Sequence, residues 1–177
     1  MVWKKLSRKD VYTNAWMRVT EDEVETDFGI KLTYGVVHKE PCALIIPREH
    51  DIYTLVGQYR YPIEAFSWEF PQGHFIGNSV LQTASTELRE ETGITAEKLT
   101  DIGSFYIAPG VHNQICHAFL AEGLTRGQSE RESGEQGMIC KDISMPQLLD
   151  MIQNREITDS LTICALTLLR IYDNKHQ

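Results

Sequence analysis

The sequence contains no uninterrupted apolar run of the roughly 18 residues that a membrane-crossing helix needs, so no helical span is expected. Nor does its N-terminal stretch, MVWKKLSRKDVYTN, place an apolar segment behind the basic residues, which argues against a secretory signal. Positive charge is scarce: 17 Lys and Arg stand against 25 Asp and Glu, for a formal net charge of −8. So acidic a chain lacks the basic surface that non-specific binding to nucleic acid or an anionic membrane requires. If it handles phosphates, it needs positive charge concentrated locally or imported as metal. Cysteine is sparse as well. Cys42, Cys116, Cys140 and Cys164 are far apart, without any C-x-x-C pair. They read as reduced, mostly buried thiols of a cytoplasmic protein, not as a disulfide framework, and His112, Cys116 and His117 lack the paired ligand spacing of a zinc site. Internal repeats and low-complexity tracts are absent too.

What is present is an ordinary globular composition, 42% apolar and 24% charged over 177 residues, enough for one domain with a substantial core. Residues 11–39 read as an N-terminal β-hairpin region, with strands at 19–26 and 31–37 around a turn at Asp27-Phe28-Gly29. Short strands are expected at 43–47, 53–61 and around Trp68, with a loop at 63–67. Further strands follow at 100–107, 115–121 and 138–143. The segment TRGQSERESGEQG, residues 125–137, is polar and rich in Gly and Ser, and reads as a mobile loop. Two helices, at 147–154 and 159–172, close the chain, the second with Leu161, Ala165, Leu168 and Leu169 as its core stripe.

The stretch that carries chemistry is WEFPQGHFIGNSVLQTASTELREETGI, Trp68 to Ile94. On a helix, Glu87, Glu90 and Glu91 fall at i, i+3 and i+4 and share one face, where like charges repel. A hard divalent cation such as Mg²⁺ relieves that repulsion and keeps coordination positions open for phosphate oxygens. Glu-rich faces are more often plain solvated surface, but the flanks here add structure. Leu81, Ala84 and Leu88 give the helix a core side, Ser79 suits its N-cap, and Gly93 suits its C-terminal left-handed position. The unit reads as strand, tight loop and acidic helix.

This segment resembles the box of the Nudix hydrolases, through Gly73, Glu87, Leu88, Glu90, Glu91, Gly93 and Ile94. It departs from that box in three places: the loop after Gly73 is one residue short, Asn78 stands for the first Glu, and Thr86 stands for the Arg that orients the box carboxylates. The resemblance implies an α/β/α sandwich of mixed sheets with the N-terminal β region attached. It implies a single domain over 1–177, of which about 1–40 is exchanged between subunits of a homodimer and about 41–177 is the core. It also implies Mg²⁺, with Mn²⁺ as an alternative, held by Glu87, Glu90, Glu91 and the Gln72 backbone carbonyl.

Within that family the chain looks most like the ADP-ribose pyrophosphatase group. Gln58-Tyr59-Arg60 followed by Trp68-Glu69-Phe70-Pro71 resembles the strand and loop that carry a substrate arginine, and a guanidinium at Arg60 can hold two phosphate oxygens at once; a surface salt bridge is its plainer reading. Pro109, sixteen residues after Gly93, matches a marker of the group, although a Pro-Gly turn needs no functional reason. Trp16 and Tyr34 match aromatics that stack on adenine, but also read as ordinary strand residues. Lys39 is a second cation by position. Glu135 matches a loop glutamate that activates the attacking water, with Glu130 and Glu132 as neighbouring candidates. The implied reaction hydrolyses the pyrophosphate of a nucleoside diphosphate linked to X, ADP-ribose giving AMP and ribose 5-phosphate. Two alternatives stay open: the same chemistry on a GDP-sugar or other nucleotide sugar, and a nucleotide-binding protein weakened in catalysis by Asn78 and Thr86. An RNA decapping activity is disfavoured because no basic tract would hold the RNA.

Overall fold

The computed structural model describes residues 2–75, 79–131 and 133–176. Asn78 and Glu132, two residues of the sequence argument, lie outside the described residues. The chain forms two compact units, Met1–Pro41 with Tyr106–Ile115, and Cys42–Phe105 with Cys116–Gln177.

The first unit is an antiparallel sheet of β1 (Lys4–Thr13), β2 (Arg18–Glu25) and β3 (Lys31–His38), in that order. The hairpin expected from sequence is therefore a three-stranded sheet. β1 leaves no signature in the sequence because every one of its residues is exposed. A strand that buries neither face has no alternation of polar and apolar residues to read. It is held instead by ladder bonds and by cross-strand charge. Arg8 lies opposite Asp22 in register, and its Nε donates to Asp22 Oδ1 at 2.8 Å. Residues 106–115 join this unit through a Val37–His112 bridge and a turn in which Val111 and His112 donate to the Ala108 carbonyl.

The second unit is built on a mixed sheet in the order β10-β5-β4-β9-β8, with β6 paired to β5 and β7 to β4. Its strands are β4 (Cys42–Glu49), β5 (Ile52–Arg60), β6 (Ala65–Glu69), β7 (Gln72–His74), β8 (Ile94–Tyr106), β9 (Ile115–Arg126) and β10 (Ile139–Ser144). β4 runs parallel to β9, from Cys42 opposite Cys116 to Pro47 opposite Ala121. Its residues Cys42, Ala43, Leu44, Ile45 and Ile46 are all buried, the continuous apolar run expected of a strand covered on both faces. The helices are α1 (Val80–Thr92), α2 (Met145–Gln153) and α3 (Ser160–His176). Ala84 and Leu88 of α1 pack with Ala43, Ile45, Ile94, Phe119 and Ala121 in one cluster.

Several boundaries differ from the sequence reading. The expected loop at 63–67 is a 3-10 turn, Tyr61–Ile63, followed by β6, whose Ser67 opposes Gln58. β8 begins directly after Gly93 instead of at 100, and β9 runs on to Arg126. On α1 the expected core residue Leu81 is exposed, while Thr83, Glu87 and Glu91 are buried beside Ala84 and Leu88. The helix is rotated so that its acids, not Leu81, turn inward. On α3, Thr162 and Leu166 are buried with Ala165 and Leu169, and Leu161 and Leu168 are half-buried. Of the thiols, only Cys42 and Cys116 are buried; Cys140 and Cys164 are exposed.

Candidate active site

Local sequence fixes where α1 starts and stops. Ser79 is its N-cap, with Oγ accepting from the Gln82 amide at 3.1 Å. Gly93 ends it at φ 74°, the left-handed conformation that favours glycine. Between these caps the helix carries Glu87, which is 8% exposed, and Glu91, which is 1% exposed. Glu90 is half-buried and lies 3.6 Å from Arg89.

Facing the helix is the short strand β7. Gly73 pairs with Ala43 of β4 and passes so close to α1 that a Cβ there would stand 1.8 Å from the Glu87 carboxyl carbon. Only glycine lets the strand and the carboxylate occupy this space. The neighbouring Gln72 amide donates to Glu91 Oε2 at 3.1 Å. Burial, followed by the charges of Glu87 and Glu135, pushes the Glu91 carboxyl well above its ordinary range; the Gln72 amide and Arg60 oppose that shift. Glu135, at the end of a 3-10 turn, Ser133–Glu135, is thus within electrostatic reach of Glu91.

Arg60 reaches this region from the end of β5, and its guanidinium grips Glu69 on β6. Nε donates to Glu69 Oε1 at 2.9 Å, and Nη2 donates to Oε2. Gln72 Nε2 also donates to Glu69 Oε2, at 2.6 Å. Glu69 is 2% exposed. Burial alone would raise its carboxyl, but the Arg60 hydrogen bond and charge, with Ser67 and Gln72, hold it below the ordinary range. A continuous polar chain thus runs Arg60–Glu69–Gln72–Glu91. The plain salt-bridge reading of Arg60 is half right: it is paired, but to a buried acid, and through one edge only. Its side chain remains 38% exposed.

Glu69 and Asp159 carry no role in the sequence reading. Asp159 Oδ2 accepts from the Thr162 amide at 2.8 Å at the start of α3, and Thr162 Oγ1 accepts from the Phe70 amide at 2.9 Å. Burial raises the Asp159 carboxyl, and Glu69 adds to the effect. The signal for Glu69 was its place in WEFPQG, an acid inside an apolar strand end beside an arginine-bearing strand.

The loop after β9 is not the free segment its composition suggests. Gly127 donates to the Gly93 carbonyl at 2.7 Å, Glu130 donates to the Glu90 carbonyl at 3.0 Å, and Arg89 pairs with Glu130 at 2.8 Å. Its described residues are seated on the C-terminal end of α1. Glu130 is thereby paired with Arg89, and the charge of Glu135 bears on Glu91.

The other expected site residues belong to the first unit. Tyr34 donates its hydroxyl to the Gly110 carbonyl at 2.9 Å and meets Trp3 edge-on at 6.1 Å. Lys39 donates its amide to Asn113 Oδ1 at 3.1 Å. Tyr34, Lys39 and the turn containing Pro109 are thus gathered in one place. Trp16 lies in the β1–β2 turn and is 70% exposed, so it packs no core here.

Among the described residues, no three His, Cys, Asp or Glu side chains stand grouped as a metal ion would hold them. The chemistry of the site nevertheless suits a hard cation. Two buried carboxylates repel one another, Glu90 adds a third on the same helix, and Gln72 Oε1 is buried with no hydrogen-bond partner among the described residues. All are oxygen donors.

The NUDIX domain model matches residues 38–156. The chain belongs to the NUDIX family. A second model, the nucleoside diphosphate sugar hydrolase N-terminal domain, matches residues 3–37. Among relatives, the ADP-ribose pyrophosphatase of Bacillus subtilis is 30% identical, covering 95% of this chain and 92% of the relative. The methanol dehydrogenase activator of Bacillus methanolicus is 27% identical, covering 96% and 94%. A solved structure of an ADP compounds hydrolase superposes with a TM-score of 0.88 at 20% identity, covering 99% of this chain and 96% of that one. That likeness establishes the mixed α/β fold. As a NUDIX enzyme the protein is a pyrophosphohydrolase acting on a small nucleotide substrate.

Proposed function

We propose that the protein hydrolyses ADP-ribose to AMP and ribose 5-phosphate, using a divalent cation, Mg²⁺ or in its place Mn²⁺. The observation that carries the chemistry is the buried Glu91 carboxylate, crowded by Glu87 and Glu135 and bonded by the Gln72 amide. The choice of ADP-ribose rests on the Bacillus subtilis relative, similar over nearly the whole chain.

In this reading Glu87, Glu90 and Glu91, with the Gln72 carbonyl, hold the cation. When bound, the cation neutralises pyrophosphate charge and lowers the pKa of a coordinated water. Glu135 accepts a proton from the attacking water, whose oxygen forms a bond to one phosphorus. The bridging P–O bond opposite breaks, and its electron pair leaves with the other phosphate. Arg60, oriented by Glu69, takes the developing charge on the phosphate oxygens. Trp16, Tyr34, Lys39 and the Pro109 turn form the nucleoside-binding group.

The first unit exposes Trp3, Leu6, Val11, Tyr12 and Trp16. This apolar content supports a homodimer in which residues of about 1–40 are exchanged around the core of about 41–177. A cytoplasmic setting goes with the widely spaced thiols. A nucleotide sugar in place of ADP-ribose is favoured by one observation, the N-terminal model matching residues 3–37.

The deciding experiment is chromatographic product analysis with ADP-ribose and Mg²⁺, beside a panel of nucleotide sugars and a Glu87→Gln/Glu91→Gln control. AMP and ribose 5-phosphate, lost in the control, are expected. Turnover of a nucleotide sugar instead would move the substrate and keep the chemistry. Turnover of no panel member would overturn the enzymatic reading.

A further inference from the structure

One arginine ties together the two pieces of chain that carry Glu91 and Glu135. Arg131 Nε donates to the Glu91 backbone carbonyl at 3.0 Å, and Nη1 donates to the Met138 carbonyl. Its Nη2 lies 3.4 Å from Cys140 Sγ. The Glu91 carbonyl is among the last four of α1, which have no partner within the helix. A guanidinium there satisfies it and complements the negative end of the helix dipole. At the other end, Met138 donates its own amide to the Glu135 carbonyl at 2.9 Å. The segment bearing Glu135 is therefore bracketed, entering at Arg131 and leaving at Met138, with the arginine's fork spanning both ends and the helix.

We propose that Arg131 is a positioning residue for the reaction: by bridging the Glu91 and Met138 carbonyls it fixes the Glu135 turn against the acidic end of α1. Three donors in a rigid plane suit two carbonyls and a sulfur in fixed directions. The point charge of a lysine does not reproduce that fork. The turn still has its anchors at Gly127 and Glu130 on α1, but these lie before Arg131 and do not constrain the stretch that follows. Glu135 bears on Glu91 electrostatically, which agrees with the placement. The proposal rests on the assignment of Glu135 as the loop acid.

The test compares wild type, Arg131→Met, Arg131→Lys, Glu135→Gln and the Arg131→Met/Glu135→Gln double variant in kcat and KM for ADP-ribose with Mg²⁺. Amide hydrogen exchange of wild type and Arg131→Met runs in parallel. Arg131→Met is expected to lower kcat on the order of 10²-fold, the loss typical of a small misplacement of a reacting group. Its KM should change less than about threefold, and Arg131→Lys should recover only part of kcat. The double variant should be no slower than the slower single variant, because both changes remove one function. The Met138 amide should exchange faster in Arg131→Met while the amides of α1 keep their protection. Multiplying losses in the double variant would overturn the proposal and leave Glu135 in its role. Full activity of Glu135→Gln would sink the assignment of Glu135, and the proposal with it. Loss of protection across α1 would make Arg131 a stability residue and also overturn it. Should the wild type turn over no ADP-ribose, the exchange comparison decides alone.

Discussion

Gly73 leaves room for a carboxylate. Its missing Cβ is the space in which the Glu87 carboxyl sits, so the strand that shapes the loop also sets the position of an acid one element away. Gly73→Ala is expected to reduce kcat on the order of 10²-fold through displacement of Glu87, with the circular dichroism spectrum unchanged. Wild-type kcat in that variant would break the link between the strand and the acid. Glu69 acts at the same scale. Its removal strands a guanidinium that is paired on one edge, and a hydrogen bond to a charged group contributes about 1.5–3 kcal/mol. Partial exposure of Arg60 puts Glu69→Gln toward the lower end of that range in urea unfolding. Its kcat should fall more than its KM rises, since Arg60 would lose its orientation toward the charge that develops on phosphate.

At the scale of elements, the end of α1 is where helix, strand and loop meet. Gly93 adopts φ 74°, and a Cβ there would stand 2.4 Å from the Gly127 carbonyl oxygen. Gly93→Ala therefore combines a strained conformation, about 1–2 kcal/mol for a residue with a Cβ, with a clash against the loop that seats on it. A lowered melting temperature with faster proteolysis between Arg126 and Met138 is expected. A variant that melts as wild type would show that the loop yields. In the first unit, the Arg8–Asp22 pair adds to the ladder that joins β1 to β2. The Arg8 hydrogen bond holds the Asp22 carboxyl at about 2, against an ordinary value of 3.8, with burial opposing. Since the folded pKa lies below the unfolded one, the contribution is present above about pH 4 and disappears as pH falls toward 2. The melting-temperature difference between wild type and Asp22→Asn should shrink across that window. A constant difference would argue against the pair.

At the scale of the molecule, the proposed cation and the proposed homodimer each make a measurable prediction. A cation bound to the folded chain alone, at 100 times its Kd, stabilises by about 2.7 kcal/mol. For a chain of this size that corresponds to roughly 5–10 °C in melting temperature. Glu91→Gln should abolish the rise on adding Mg²⁺; an equal rise in the variant would place the ion elsewhere. Analytical ultracentrifugation should give twice the 20.3 kDa chain mass. A species of single-chain mass at micromolar concentration would remove the exchanged-subunit arrangement.

By itself the sequence determined the acidic helix, its Ser79 and Gly93 caps, the strand-loop-helix unit around them and the family to which they point. These depend on local rules: spacing along one helix face, a hydroxyl at an N-terminus, a glycine where φ is positive. Tertiary structure decided the rest, because pairing and burial join residues far apart in the chain. It rotated α1 so that Glu87 and Glu91 turn inward in place of Leu81. It set β1, invisible to periodicity since it buries nothing, beside β2. It put Glu69 under Arg60 through the β5–β6 pairing. It also seated a segment whose composition suggests a loose loop, through backbone carbonyls at the end of α1 that no side-chain pattern announces.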